Sequence, residues 1–222
     1  MPTALLSVYD KSGICAYAGK LERFGWNILA SGGTATRLGQ AGIRVIDIAT
    51  RVGPPMLKHK VVSLAREIHA GLLADDSAEE SSELAKNGIQ RIDLVYVTLY
   101  PLIEELGKQD ATIESVREKT DIGGPAMLRS AAKGRRLVIT NENDARRVMS
   151  HLESNGGIPV EDKKLLRYLA CVAERKVAAY ALASAIALSN NPDDQDDNAE
   201  NKHLRGVYRR LTDSALIFNE TI

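Results

Sequence analysis

The chain has 222 residues, 44% hydrophobic and 5% aromatic, and its 29 basic and 29 acidic side chains cancel to a formal net charge of zero. That length and apolar content suit a globular domain with a full core. Zero net charge excludes a global pull toward nucleic acid or an anionic membrane, and so few aromatics make a stacking platform for single strands unexpected.

The N-terminal half reads as alternating strand and helix. Ala4–Tyr9 is a short apolar run, expected as a buried strand. Asp10-Lys11-Ser12-Gly13 breaks it, and a helix is expected from Ile14 to Phe24. Trp26–Ala30 is a second strand, ended by Ser31-Gly32-Gly33; Thr34–Ala41 is a short helix and Val45–Ile48 a third strand. Arg51–Leu73 is expected to be irregular, with Gly53-Pro54-Pro55 as a breaker. Ser77–Lys86 reads as an acid-rich surface helix, and Asp93–Leu99 as a strand ended by Tyr100-Pro101.

Further on, Thr120–Lys133 joins a carboxylate, a Gly-Gly-Pro turn and an Ala/Leu/Met-rich helix, with Pro125 expected at the first helical position. Arg136–Thr140 is a strand, Asn143-Asp144 caps a helix to about Leu152, and Asp162 to about Leu188 is one long Ala-rich helix. Strands separated by helices predict an α/β fold of three layers, α/β/α, with a mostly parallel sheet. The expected organisation is a domain over 1–189, an acidic linker over 190–203 and a C-terminal arm over 204–222.

In such sheets ligands bind at the carboxyl ends of the strands. Three motifs fall there: Tyr9–Lys11, Ser31–Thr34 and Thr98–Tyr100. Ser31-Gly32-Gly33-Thr34 is the best phosphate candidate, because two glycines expose backbone N–H groups, two hydroxyls add donors and a helix follows. Lys11 supplies the charge a phosphate needs. The same residues also fit a tight strand-to-helix turn with Thr34 as N-cap. At Thr120–Lys133, an acid before free helical N–H groups with Arg129 and Lys133 on one face makes an acid/base candidate; an ordinary loop-to-helix junction fits too.

Cys15 and Cys171 match no zinc spacing or disulfide framework and are expected to pack as small hydrophobes. His59 and His69 lack metal-ligand spacing, His151 and His203 are expected at the surface, and no metal site is expected. The start, Met1-Pro2-Thr3-Ala4, has no signal-peptide pattern, and no run approaches the roughly 20 apolar residues of a membrane span. A cytoplasmic protein is expected.

These pieces together resemble the IMP cyclohydrolase domain of the bifunctional purine-biosynthesis enzyme whose other half is AICAR transformylase. The resemblance rests on Ser7–Gly13, Ala30–Ala35, Ile68–Leu73, Leu99–Pro101 and Asp121–Arg129 with Ala131-Ala132-Lys133, in the family's order across roughly Ala4 to Leu188. It implies a methylglyoxal-synthase-like fold without the transformylase half. It also implies an enzyme that turns formyl-AICAR, or a close ribonucleotide analogue, into IMP with loss of water. No cofactor or metal is implied. The implied partners are a small-molecule ribonucleotide and a separate AICAR transformylase, with a homo-oligomer compatible and neither nucleic acid nor membrane.

By the same resemblance, Tyr9, Asp10, Lys11, Ser31, Gly32, Gly33, Thr34, Lys60, Val61, Val62 and Ser63 hold the 5′-phosphate and ribose. Thr98, Leu99, Asp121 and Ile122 face the base. Lys133 is the implied proton donor/acceptor, with Asp121 and Tyr100 orienting and polarising the reacting groups. The chain departs from the family at Val62, where the family has a lysine, at Thr98, where it has asparagine, and at Glu174-Arg175-Lys176, where it has Phe-Thr-His. Val62 can neither donate a proton nor stabilise an oxyanion. A non-catalytic nucleotide sensor on the same fold is therefore the alternative reading.

Overall fold

The computed structural model describes residues 1–57, 61–106, 108 and 110–189. Lys58, His59, Lys60, the expected acidic linker, the C-terminal arm and His203 lie outside the described residues.

The strands are β1 (Thr3–Ser7), β2 (Asn27–Ala30), β3 (Ile46–Asp47), β4 (Leu94–Val97) and β5 (Leu137–Ile139). They form one sheet in the order β3-β2-β1-β4-β5, with every pairing parallel. A parallel sheet covered by helices buries both faces of its strands. Accordingly Leu5, Leu6, Leu94 and Val138 are fully buried, with no alternation between apolar and polar.

The helices are α1 (Ile14–Arg23), α2 (Gly32–Gln40), α3 (Ala49–Val52), α4 (Arg66–Leu73), α5 (Ala78–Lys86), α6 (Leu102–Leu106), α7 (Ile113–Lys119), α8 (Gly123–Lys133), α9 (Glu142–Ser154) and α10 (Lys163–Ser189). Helix α8 packs on β4 and β5 together with α4 and α10. Tyr96 of β4 points the other way, edge-on to Tyr17 of α1 with ring centroids 5.4 Å apart. The sheet is thus the middle of three layers, as its side-chain alternation requires. Along α10, Leu165, Leu169 and Ala173 repeat every fourth residue and are buried; Tyr180 and Ala183 extend that inward stripe.

Several local expectations are corrected. The stretch expected to be irregular holds the end of α3 and all of α4. In α4, Ile68 and Leu72 present one buried face at i, i+4 spacing, too short a run to read as a helix beside the Gly53-Pro54-Pro55 breaker. Helix α8 starts at Gly123, so Pro125 is its third residue; it still falls among the first four positions, whose N–H groups need no helical partner. The cap of α9 is Asn141, whose side chain accepts the Asp144 N–H at 2.9 Å. Cys171 is exposed on α10 rather than packed inside, while Cys15 is half-buried.

Candidate active site

Strand β1 neighbours both β2 and β4, and the chain leaves it toward opposite edges of the sheet. That is a topological switch point, where a crevice opens beyond the strand ends. A cleft of about 740 Å³ lies there, walled by the ends of β1, β2 and β4, the first turns of α2 and α8, and residues of α7 and α10. The Tyr9 N–H donates to Thr98 Oγ1 at 2.7 Å and ties the two central strand ends together across its floor.

One end of the cleft brings a lysine to the start of a helix. Ser31 is the N-cap of α2, but its hydroxyl is 2.7 Å from Ser7 Oγ and makes no cap bond. The helix start therefore keeps N–H groups without a side-chain partner, the arrangement that attracts negative charge. Thr34 is not the cap; its buried Oγ1 accepts the Val8 N–H at 3.2 Å and fastens α2 to the end of β1. Lys11 Nζ donates to the carbonyls of Val8 and Tyr9, each at 2.9 Å. Its stem lies over Gly33, where an added Cβ would stand 3.3 Å from Lys11 Cε. The ammonium is thereby parked beside the α2 N-terminus.

Asp10 is turned out of this end. Its carboxylate accepts the Ser12 N–H at 2.8 Å and the Ser12 hydroxyl at 2.7 Å, bonds that hold it below the usual carboxylate range. It closes the turn before α1 and does not line the cleft; neither does Gly32, although Gly33 does.

The other end carries a carboxylate and a phenol. Asp121 Oδ1 accepts the Gly124 N–H at 2.9 Å, in the first turn of α8. Burial pushes its carboxyl above the usual value, opposed by the N–H groups of Gly124, Tyr100 and Gly123. Gly124 is required here: an added Cβ would collide with Asp121 Oδ2 and stand 2.7 Å from Leu99 Cδ2. Tyr100, 49% exposed, meets Tyr9 edge-on with centroids 5.6 Å apart. Its phenol is pushed up by burial and then by the Asp121 charge, so it stays protonated and able to donate.

Val62, Ser63 and Ile122 also line the cleft, with the Ser63 hydroxyl against Gly123. Val61 instead pairs with Met56 in a short antiparallel bridge, and Leu99 is buried beneath the wall. Sequence reasoning missed Arg117, Lys119, Met127, Ser184 and Leu188, all on the cleft wall. Nothing in their local pattern marks them: α7 is a polar surface helix, and Ser184 and Leu188 belong to an Ala-rich run. Glu174, at a departure from the family, is accommodated by an ion pair of 3.2 Å with Arg129.

Lys133 does not line this cleft. It is the last residue of an eleven-residue helix whose first turn lines the cleft, which puts its backbone about 15 Å away at 1.5 Å per residue. It lines a different groove, beside Asp93 and Leu137, at the opposite ends of β4 and β5.

Among the described residues no three His, Cys, Asp or Glu side chains gather as a metal site, and no helix is long and apolar enough to cross a membrane.

The family model of the MGS-like domain matches residues 13–126, about half of the chain, and the chain belongs to that family. More specific relatives share one name. A protein of Chlorobium phaeobacteroides (strain BS1) named bifunctional purine biosynthesis protein PurH is 34% identical over 233 residues, covering 96% of this chain and 44% of that protein. A PurH of Streptococcus uberis is 41% identical over 181 residues, covering 80% of this chain and 35% of that one. The chain thus spans less than half the length of these curated relatives. Among solved structures, the crystal structure of ForH superposes with a TM-score of 0.78 at 35% identity, over 85% of this chain and 97% of that one.

Proposed function

We propose that the chain is a cyclohydrolase of purine biosynthesis, closing the six-membered ring of formyl-AICAR, or of a close ribonucleotide analogue, to give IMP or its counterpart and water. The observation that carries this reading is the two-ended cleft: an anion cradle at Lys11 and the α2 N-terminus, and a carboxylate with a phenol at Asp121 and Tyr100. Its volume of about 740 Å³ admits a nucleoside monophosphate.

The reaction joins two groups of one molecule. The carboxamide nitrogen attacks the formyl carbon. The carboxamide and formamide nitrogens each lose one proton, and the formyl oxygen leaves as water carrying both. Fixing the two groups in contact supplies much of the rate, since well-oriented intramolecular steps gain several kcal/mol. In this proposal the phosphate sits between Lys11 and the first turn of α2, and the base edge faces Asp121. Asp121, more basic than a solvated carboxylate, takes the carboxamide proton, while the Tyr100 phenol donates to the formyl oxygen as negative charge develops there. Lys133 has no part in it. A transformylase, as a further domain or a partner protein, would supply the formylated substrate, in the cytoplasm.

Thr98 favours a second reading. Its Oγ1 is engaged by the Tyr9 N–H, and Val62 brings an apolar side chain to the same cleft. A cleft that binds the nucleotide without turning it over, a sensor, fits those two residues. Ultraviolet monitoring of purified protein with formyl-AICAR decides. Ring closure supports the enzyme; tight nucleotide binding with no closure rejects it in favour of the sensor.

A further inference from the structure

Two backbone groups flank the turn that delivers Asp121 to the cleft, and one side chain from a distant helix satisfies both. Tyr180 of α10 accepts the Asp121 N–H at 2.8 Å and donates its own proton to the Lys119 carbonyl at 2.9 Å. The ring is 6% exposed, so water does not compete freely for either bond. Burial pushes the Tyr180 hydroxyl up to about 12, so the donor is retained across the working pH range. Tyr180 lies outside residues 13–126, and no motif in the sequence points to it.

We propose that Tyr180 is a positioning residue for Asp121, acting through the backbone of the turn between α7 and α8. The argument is geometric. Asp121 is held from two sides: its carboxylate by the N–H groups of Gly124, Tyr100 and Gly123, its own N–H by Tyr180. The first set orients the carboxylate; the second fixes the Cα that carries it. A hydroxyl that donates one bond and accepts the other is directional in both, so it sets the spacing of Lys119 and Asp121 as a freely rotating contact cannot. Thr120, between them, turns its hydroxyl back to the Val116 carbonyl at 2.9 Å and completes the close of α7. Without the Tyr180 hydroxyl, one donor and one acceptor in a half-buried turn lose their partner, and the turn must shift to find water. A displacement of about 1 Å at a reacting group can cost about 10²-fold in rate.

The proposal rests on Asp121 serving the cyclohydrolase reading, and the test separates the two. Tyr180→Phe keeps the ring and removes the hydroxyl. With formyl-AICAR, kcat is expected to fall about ten- to a hundred-fold with KM within about threefold. Leu169→Ala, a cavity on the same helix far from the cleft lining, is expected to lower stability and leave kcat unchanged. A second readout needs no substrate: the Asp121 carboxyl, followed by ¹³C NMR, should titrate at a different pH in Tyr180→Phe and at the parent pH in Leu169→Ala. If the parent protein does not close the ring, the functional reading fails while this titration still tests the positioning. If Tyr180→Phe does not fold, amide exchange in the parent protein replaces it, and the Asp121 N–H should be among the slowest outside the sheet. Parent-like kcat and an unmoved Asp121 titration, or a fast-exchanging Asp121 amide, overturn the proposal.

Discussion

The Tyr9 N–H and Thr98 Oγ1, 2.7 Å apart, join the ends of β1 and β4 where the sheet changes direction. The Thr98 side chain thus works as a strand clamp at a position where the resemblance implies a base-reading amide. Thr98→Val keeps the shape and removes the acceptor. It is expected to cost about 1 kcal/mol of stability, read by chemical denaturation, and to lower turnover by loosening the floor of the cleft. A parent-like denaturation midpoint would show that the bond carries nothing.

Lys11 holds its ammonium beside the α2 N-terminus through two carbonyls. Lys11→Ala is expected to weaken binding of IMP about ten- to a hundred-fold, the loss of one charge-assisted contact of about 1.5–3 kcal/mol. The loss should shrink at high salt, since screening weakens the parent interaction as well. Calorimetric titration at two ionic strengths tests both statements.

Asp121 has a raised carboxyl pKa, with burial as the main cause. A base must be ionised, so turnover should rise with pH along an acid limb centred above the ordinary 3.8. The linkage has a definite sign. A carboxyl whose folded pKa is raised favours the folded state below its unfolded value, and that contribution is lost as pH rises through the folded value. Asp121→Asn should therefore abolish turnover yet match or exceed the parent melting temperature at pH 7, with the difference closing below about pH 4. An active Asp121→Asn protein removes Asp121 from the chemistry.

Gly124 leaves no room for a side chain beside the Asp121 carboxylate. Gly124→Ala would be helix-favouring by propensity alone, so a folded product is expected. Its methyl group must push the carboxylate or Leu99 aside, and kcat should drop at least about tenfold on the displacement argument. Circular dichroism and steady-state kinetics together check that the loss is local.

Lys133 separates geometry from resemblance. Lying about 15 Å along α8 from the first turn that holds Asp121, it should be replaceable by alanine with turnover within a few-fold of the parent. Loss of turnover with nucleotide binding intact would mean that Lys133 reaches the cleft of a second copy, which size measurement of the active species would reveal.

How much was legible in the sequence differs from element to element. Four of the strands stood out because each is a short, mostly apolar run bounded by turn residues and buried on both faces; β3, half-buried and carrying Asp47, stood out only by its flanking apolar residues. The Gly-rich turns after β2 and before α8 were legible for the same local reason. Helices α3 and α4 were not, because their apolar positions are too few for a period and a Gly-Pro-Pro breaker lies between them. A turn with Thr34 as N-cap is one of the two readings the local sequence allows; the chain instead begins α2 at Gly32 and spends the Thr34 hydroxyl on Val8.

The sequence by itself determined the class of fold and two of the site's ingredients, the lysine-and-glycine cradle and the acid before a helix start, since each is a contiguous run whose chemistry follows from its own backbone. Only the tertiary structure decided which of those ingredients meet. Parallel pairing of β1 with β4 brings Tyr9 to Thr98, 89 positions apart in the chain but neighbours beyond the paired strand ends. The rise of an α-helix carries Lys133 away from Asp121 although α8 is only eleven residues long. The packing of α10 on α8 delivers the Tyr180 hydroxyl to Asp121 across 59 residues of chain. Contacts between distant segments depend on how whole elements pack, and no local pattern encodes them.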